Sequence, residues 1–486
     1  MGAEQKGDIR RGGKTIKRGY CWVSISFVAL LVLVHASAVS SMEANAILLA
    51  ARPQASDPPT GIHLTWGQDD TAHTIVVTWE TSDAETGDLV LYDTQSRGGD
   101  PDLYENSATG SHHTYSGAGG YIHDVELTGL SADTIYYFIC GGENGGWSDE
   151  RSFRTAPDQR VSFRFVEGGD SQHKLRSRVE DRDAISQLMA QYNPSFVLFP
   201  GDIVDVWDSQ AEWDNLLASF SMYWIDNNGL TIPIIPAVGN HDVRAPGDYD
   251  PENDATNYYG QFNLPGNEQW YALSWGLDLR IIVLDTETQG GESSWPEQLA
   301  WLENELIASE NYLWKIVIFH RDMVSYRSWP SQSAWKNDFA FLFDKYHVDL
   351  VMQGHAQVYE RSYPLDWTRA PGEIMSPGEG VVYMVGGAWG GGLYQGEPTW
   401  FSAKGPLSKY CFQVIDLYEN GTLHIRAIDI DGNVFDEYVI QKEVPKAAEV
   451  PIVAISAVVI MVAIGISFFI GWRRSRVRTP ARRSSR

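Results

Sequence analysis

Residues 233–242 read Pro233-Ile234-Ile235-Pro236-Ala237-Val238-Gly239-Asn240-His241-Asp242. A short apolar run breaks off into a glycine and three residues whose side chains ligate cations or carry protons. The run Pro233–Ala237 predicts a buried strand. The glycine lets the chain turn sharply after it, so that the next side chains point into a cleft. The arrangement recurs four times. Phe163–Val166 leads to Gly169-Asp170, Phe196–Phe199 to Gly201-Asp202, Lys315–Phe319 to His320, and Val348–Met352 to Gly354-His355. One Gly-Asp pair is ordinary turn chemistry. Five polar strand ends in one chain point to a shared site, because open α/β sheets gather ligands at the carboxyl ends of their strands.

Between these strands lie helical stretches at Asp181–Gln191, Ser209–Phe220, Pro296–Ile307 and Ala334–Tyr346, with further strands at Arg280–Leu284 and Val381–Val385. Helices alternating with unbroken apolar strands predict α/β layers. Then Cys411–Leu417, Thr422–Asp429 and Val434–Ile440 follow one another, with Asn420-Gly421 and Asp431-Gly432 at the turns, which predicts antiparallel pairing at a sheet end. Residues 57–157 have a different texture. Thr74–Trp79 and Leu89–Tyr92 are short β-branched or aromatic runs, and Thr134-x-Tyr136-x-Phe138-x-Cys140 alternates with period two. This part reads as an all-β sandwich.

The chain has 486 residues, of which 43% are hydrophobic and 12% aromatic, which excludes wholesale disorder. Three cysteines and no CxxC exclude a disulfide scaffold and a thiolate zinc site. Cys140 and Cys411 sit in apolar strand-like runs and read as buried thiols in preference to a disulfide. The net charge is −26 although both ends are basic, so the part between them is more acidic still. A body of that charge repels polyanions, and nucleic-acid binding is not expected. Lys6 to Arg18, an apolar run Tyr20–Val34 and Ala36-Ser37-Ala38 make residues 1–38 a secretory signal, with an uncleaved anchor as the alternative. Residues 451–472 are apolar and uncharged, and Arg473, Arg474, Arg476 and Arg478 follow. They predict a single transmembrane helix, a basic cytoplasmic tail at 473–486 and a body outside the cell membrane.

With Gly201-Asp202, Gly239-Asn240-His241-Asp242, Leu284-Asp285-Thr286 and Gly354-His355-Ala356-Gln357-Val358-Tyr359-Glu360-Arg361 in place, residues 57–442 resemble the calcineurin-like metallophosphoesterases, specifically the purple acid phosphatases. The resemblance implies a fibronectin type III-like sandwich over 57–157, with Trp79 in its core and Tyr136 as tyrosine corner. It implies a catalytic domain over 160–442, a four-layer metallophosphoesterase β-sandwich flanked by helices. The implied activity is hydrolysis of phosphate monoesters by metal-activated water. Two cations about 3.5–4 Å apart can activate the water and relieve charge on the phosphoryl oxygens. By resemblance Asp202 bridges them, Asn240, His320 and His355 complete the second site, and Asp170 belongs to the first. His241 would touch the phosphate and protonate the leaving oxygen, with Asp242 orienting it. Arg321 reads equally as a phosphate ligand or a surface charge. His123, His173, His347 and His424 read as ordinary histidines, although His173 lies close enough to Asp170 in sequence to reach the cleft.

The chain departs from the family pattern at the first metal. Asp205 stands where the family carries tyrosine in Gly201-Asp202-Ile203-Val204-Asp205, Gln357 stands where a histidine is usual, and Asp170-Ser171-Gln172 lacks the superfamily's Asp-x-His. Oxygen donors therefore replace the expected nitrogen and phenolate ligands. Either the site is retuned toward a hard divalent ion held by Asp170, Asp202 and Gln357 or Gln172, with Asp205 reaching through a water, or the first site is weak or empty. The cofactor expected is a divalent metal, Mn, Mg, Zn or Fe. The expected partner is a small phosphate ester. A phosphodiesterase or nucleotidase is the nearby enzyme alternative, and a catalytically degenerate cell-surface binding protein the more distant one.

Overall fold

The computed structural model describes residues 57–172, 176–245, 250–288, 294–330, 333–368 and 372–444. The expected signal segment (residues 1–38), residues 451–472, the basic tail and His173 lie outside the described residues.

The period-two run at Thr134–Cys140 forms the strand Ile135–Gly142, and its alternate residues Tyr136, Phe138 and Cys140 are all buried. It belongs to a sheet with Leu89–Asp93, Asn106–Thr109, Gly146–Trp147 and Arg151–Arg154. A second sheet, Thr60–Thr65, Ile75–Thr81, Tyr121–Leu127 and Ser111–His113, faces it. Trp79, 1% exposed, fills the space between them. The backbone amide of Ser131 donates to the Tyr136 hydroxyl at 2.9 Å, which is the tyrosine-corner bond.

The larger part has two stacked sheets. In the first, Phe163–Glu167 runs parallel to Val197–Phe199, which runs parallel to Ile234–Pro236. On its other side Cys411–Tyr418, Thr422–Asp429 and Val434–Gln441 pair antiparallel in succession. In the second, Leu279–Val283, Trp314–Phe319, Leu350–Gln353 and Val382–Gly386 are parallel neighbours. Tyr271–Trp275 closes one edge, and Tyr359–Ser362 with Ser402–Leu407 the other. Strand alternation builds the layers. Trp314, Ile316 and Ile318 enter the core between the sheets, whereas Val317 and Phe319 face the helices, where they meet Leu302, Leu306, Phe339 and Phe343. Those four residues come from the helices Ser294–Ala308 and Ala334–Lys345. On the outer side, Gln210–Tyr223 buries Trp213, Leu216, Leu217 and Phe220.

The N-terminal sandwich is joined to this body by shared core. Ile62, Leu64 and Trp66 belong to the same buried cluster as Trp213, Leu217, Phe262 and Trp275. Trp66 and Trp275 meet edge to face at 5.8 Å. The hydroxyls of Thr65 and Thr71 donate to the carbonyls of Asn263 and Ser274, at 2.9 and 2.6 Å.

No helix among the described residues is long and apolar enough to cross a membrane. The longest have 15 residues. That is a rise of about 22 Å, short of a hydrocarbon layer of about 30 Å. The expected C-terminal transmembrane helix, and the single-pass placement in the cell membrane that followed from it, are corrected accordingly. Cys140 and Cys411 are both buried and free.

Candidate metal centre

The loops after Phe163–Glu167, Val197–Phe199, Ile234–Pro236, Trp314–Phe319 and Leu350–Gln353 converge. Their backbones interlock, since Asp170 N–H donates to the Gly201 carbonyl at 3.1 Å and Gln172 N–H to the Asp202 carbonyl at 3.2 Å. The fit is tight. A Cβ on Gly239 would lie 2.1 Å from the Asp202 amide nitrogen, and one on Gly201 would lie 2.9 Å from the His320 Cβ. Asp170, Asp202, His355 and Gln357 all have positive φ, between 50° and 68°. Such conformations cost about 1–3 kcal/mol each and persist where the surroundings over-determine them.

Asp202 sits at the centre and is 1% exposed. Its Oδ1 accepts from the His241 amide at 2.8 Å and lies 3.1 Å from His320 Nε2. The same Nε2 is 3.1 Å from Asn240 Oδ1. His320 Nδ1 faces the Pro200 carbonyl at 2.9 Å. A carbonyl only accepts, so Nδ1 carries hydrogen and Nε2 is the ligating atom. Ligand atoms of Asp202, His320 and His355 all lie within 4.8 Å of one another. Burial works against charge on His320, but Asp202 and then Asp170 hold its pKa up at about 10. Burial likewise pushes Asp202 up, yet the His320 charge outweighs it and holds the carboxyl below its ordinary value. The cluster therefore demands positive charge at its centre. His355, by contrast, is pushed down to about 3 by burial and by the His320 charge, which leaves a neutral imidazole.

On the first-metal side, both Asp170 oxygens accept from the His355 amide, at 3.1 and 3.0 Å. Burial, with Asp202 adding to it, raises the Asp170 carboxyl well above its usual range. Gln172 Nε2 donates to Asp202 Oδ2 at 2.9 Å, while Gln172 Oε1 is buried without a hydrogen-bond partner. An orphaned amide oxygen beside two buried carboxylates is what a hard cation takes as ligand. The residues present fit divalent metal. Gln357, two residues after His355, is buried, 7% exposed.

Three expected residues have different surroundings from those foreseen. Asp242 is buried, and its oxygens accept from the amides of Ile203, Val204 and Gly239 at 2.9, 3.2 and 2.8 Å, so it holds backbone and not the His241 imidazole. Arg321 gives its guanidinium to the fully buried Glu287 at 2.7 Å. Asp205 lies beside His241, whose Nδ1 is 2.8 Å from the Asp205 carbonyl and 3.7 Å from its carboxylate. Nδ1 therefore donates, and Nε2 is left to exchange a proton. Asp322 was not foreseen. It is buried, and its Oδ1 lies 4.0 Å from His355 Nε2. Its position two residues after His320, at the same strand end, was the available signal.

Residues 59–155 match the family described as purple acid phosphatase, N-terminal domain, and residues 164–359 match the calcineurin-like phosphoesterases. An uncharacterized protein of Mycobacterium tuberculosis is 27% identical over 395 residues, 70% of this chain and 71% of that one. A phosphoenolpyruvate phosphatase of Allium cepa is 27% identical over 332 residues, 64% of this chain and 65% of that one. Among solved structures, a purple acid phosphatase from yellow lupin seeds superposes with a TM-score of 0.65 at 21% identity, covering 80% of this chain and 75% of that one. The last likeness is one of fold.

Proposed function

Starting from a chain that belongs to the purple acid phosphatase-like metallophosphoesterases, we infer that this enzyme hydrolyses phosphate monoesters of small molecules. The observation that carries the reading is the convergence of Asp202, Asn240, His320 and His355 around one point, with His241 beside them.

Asp202 and His320, with Asn240 and His355, would hold one divalent ion, and Asp170, Asp202 and Gln172 or Gln357 the other. Bound there, such ions supply charge relief on the phosphoryl oxygens and lower the pKa of a water. The chain's own groups do the rest. The Asp205 carbonyl accepts the Nδ1 proton of His241, so that Nε2 takes up a proton from solvent and, as the imidazolium, hands it to the departing oxygen. Asp242 clamps the turn that carries Asp202. The Glu287 carboxylate engages Arg321, so its charge acts on the site from behind an ion pair.

The test is hydrolysis of an aryl phosphate by the full chain, with and without added Mn²⁺, alongside an aryl phosphodiester. Monoester turnover that exceeds diester turnover and falls at least a hundredfold in His320→Ala supports the reading. Unchanged activity in His320→Ala or Asn240→Ala overturns the site, and faster diester turnover overturns the monoester assignment.

A further inference from the structure

A second set of ligand atoms meets in the N-terminal sandwich. The strands Ser111–His113 and Tyr121–Leu127 pair antiparallel with His112 directly opposite His123, and their rings lie 5.5 Å apart. Asp88, just ahead of the strand Leu89–Asp93 in the facing sheet, reaches across to both. Its Oδ1 is 2.6 Å from Nδ1 of His123 and 3.0 Å from Nδ1 of His112, and its Oδ2 is 3.0 Å from the latter. One ligand atom from each of the three residues falls within a 4.8 Å span.

The surroundings orient the buried imidazole. His123 is fully buried and stacks on Trp79, with the rings 5.0 Å apart and 2° from parallel. Its Nε2 lies 2.7 Å from the Thr81 hydroxyl, which itself donates to the Asp83 carbonyl at 2.9 Å. The Thr81 oxygen thus accepts from Nε2–H, and the Nδ1 lone pair is turned onto the Asp88 carboxylate. With the Thr81 hydrogen on the Asp83 carbonyl, two lone-pair donors face each other at that distance and a cation belongs between them.

We propose that Asp88, His112 and His123 form a second metal site, separate from the phosphoesterase centre, that takes a divalent transition ion such as Zn²⁺. Two imidazole nitrogens and one carboxylate suit Zn²⁺, Cu²⁺ or Ni²⁺ better than Mg²⁺ or Ca²⁺. Tetrahedral coordination with bonds of about 2.0–2.1 Å sets ligand atoms about 3.3 Å apart, wider than the 3.0 Å from Asp88 to His112 and the 2.6 Å from Asp88 to His123. His112 is exposed and Asp88 only half-buried, so both can yield those distances against the buried His123, and the exposed side leaves the fourth position to water. The Thr81 hydroxyl on the far nitrogen is the outer partner that ligating histidines usually have. The ion would tie the exposed edge strand Ser111–His113 to the opposite sheet.

The test equilibrates full-length wild type, His112→Ala and Asp88→Asn with Zn²⁺, counts bound zinc by mass spectrometry, and measures aryl phosphatase activity on the same samples. Wild type should hold one more zinc per chain than either variant, with equal activity in all three. Zinc should raise the melting temperature of the wild type more than that of the variants. Since His112 is exposed, its removal leaves the sandwich core in place, which circular dichroism checks. Equal zinc content in all three proteins would mean that a proton alone joins Asp88 to His123, and the proposal would fall.

Discussion

The carboxylate of Asp242 accepts from the backbone amide of Ile203 at 2.9 Å, so one acid of the site is a brace for the turn that presents another, Asp202. With Val204 and Gly239 it satisfies three buried amides. Leaving a buried donor unmatched costs about 1–3 kcal/mol. Asp242→Ala should therefore lower stability by about 3 kcal/mol or more and reduce activity at least tenfold, as read by denaturant unfolding and aryl phosphate hydrolysis. A variant of native stability and activity would show that the brace is dispensable.

His241 is expected to act on the leaving oxygen. His241→Asn should slow hydrolysis by about 10²–10⁴-fold for poor leaving groups. The loss should shrink for activated aryl esters, which depart without a proton. A loss independent of leaving-group pKa would assign His241 to binding instead.

Arg321→Ala would strand Glu287, a fully buried carboxylate whose pKa is raised by burial against the pull of Arg321. Breaking a buried pair from one side costs about 3–5 kcal/mol. The expectation is a marked drop in melting temperature, recovered when Glu287→Gln is added. A rise in KM with unaltered stability would point to a phosphate ligand.

Asp344 supplies a pH test away from the centre. Burial, with Asp366 adding to it, pushes its carboxyl up to about 7. The unfolded value is about 3.9, so the ionised form is disfavoured in the fold and stability declines as pH climbs from about 4 through 7. Asp344→Asn should match the wild type at pH 4 and melt several degrees higher at pH 8. Identical melting curves at pH 8 would contradict this.

The strand tips of the centre were visible in the sequence because each follows an uninterrupted apolar run, and Thr422–Asp429 falls where its Asn-Gly and Asp-Gly turns put it. Among the strands that were not visible, two show why. Tyr359–Ser362 is buried yet half charged, its Glu360 accepting from Tyr326 N–H at 2.6 Å and its Arg361 pairing with Asp436 at 2.8 Å. Ser402–Leu407 contains Gly405-Pro406 and survives as an edge strand, where a proline can sit. At the centre, the candidate ligands stood out by residue type and by their place at strand ends. Asp322, Glu287 and the supporting task of Asp242 depend on contacts between loops far apart in the chain. The Asp88, His112 and His123 group was hidden for the same reason, since it exists only once two sheets face each other.

Trp66 against Trp275, with Leu64 and Phe262 in the same buried cluster, leaves no greasy boundary at which the polypeptide can be divided. Severed near residue 160, the hydrolytic half would bare an indole and its neighbours to water and clump before it could work. In any chimera between relatives, the two faces of that joint would have to be inherited together.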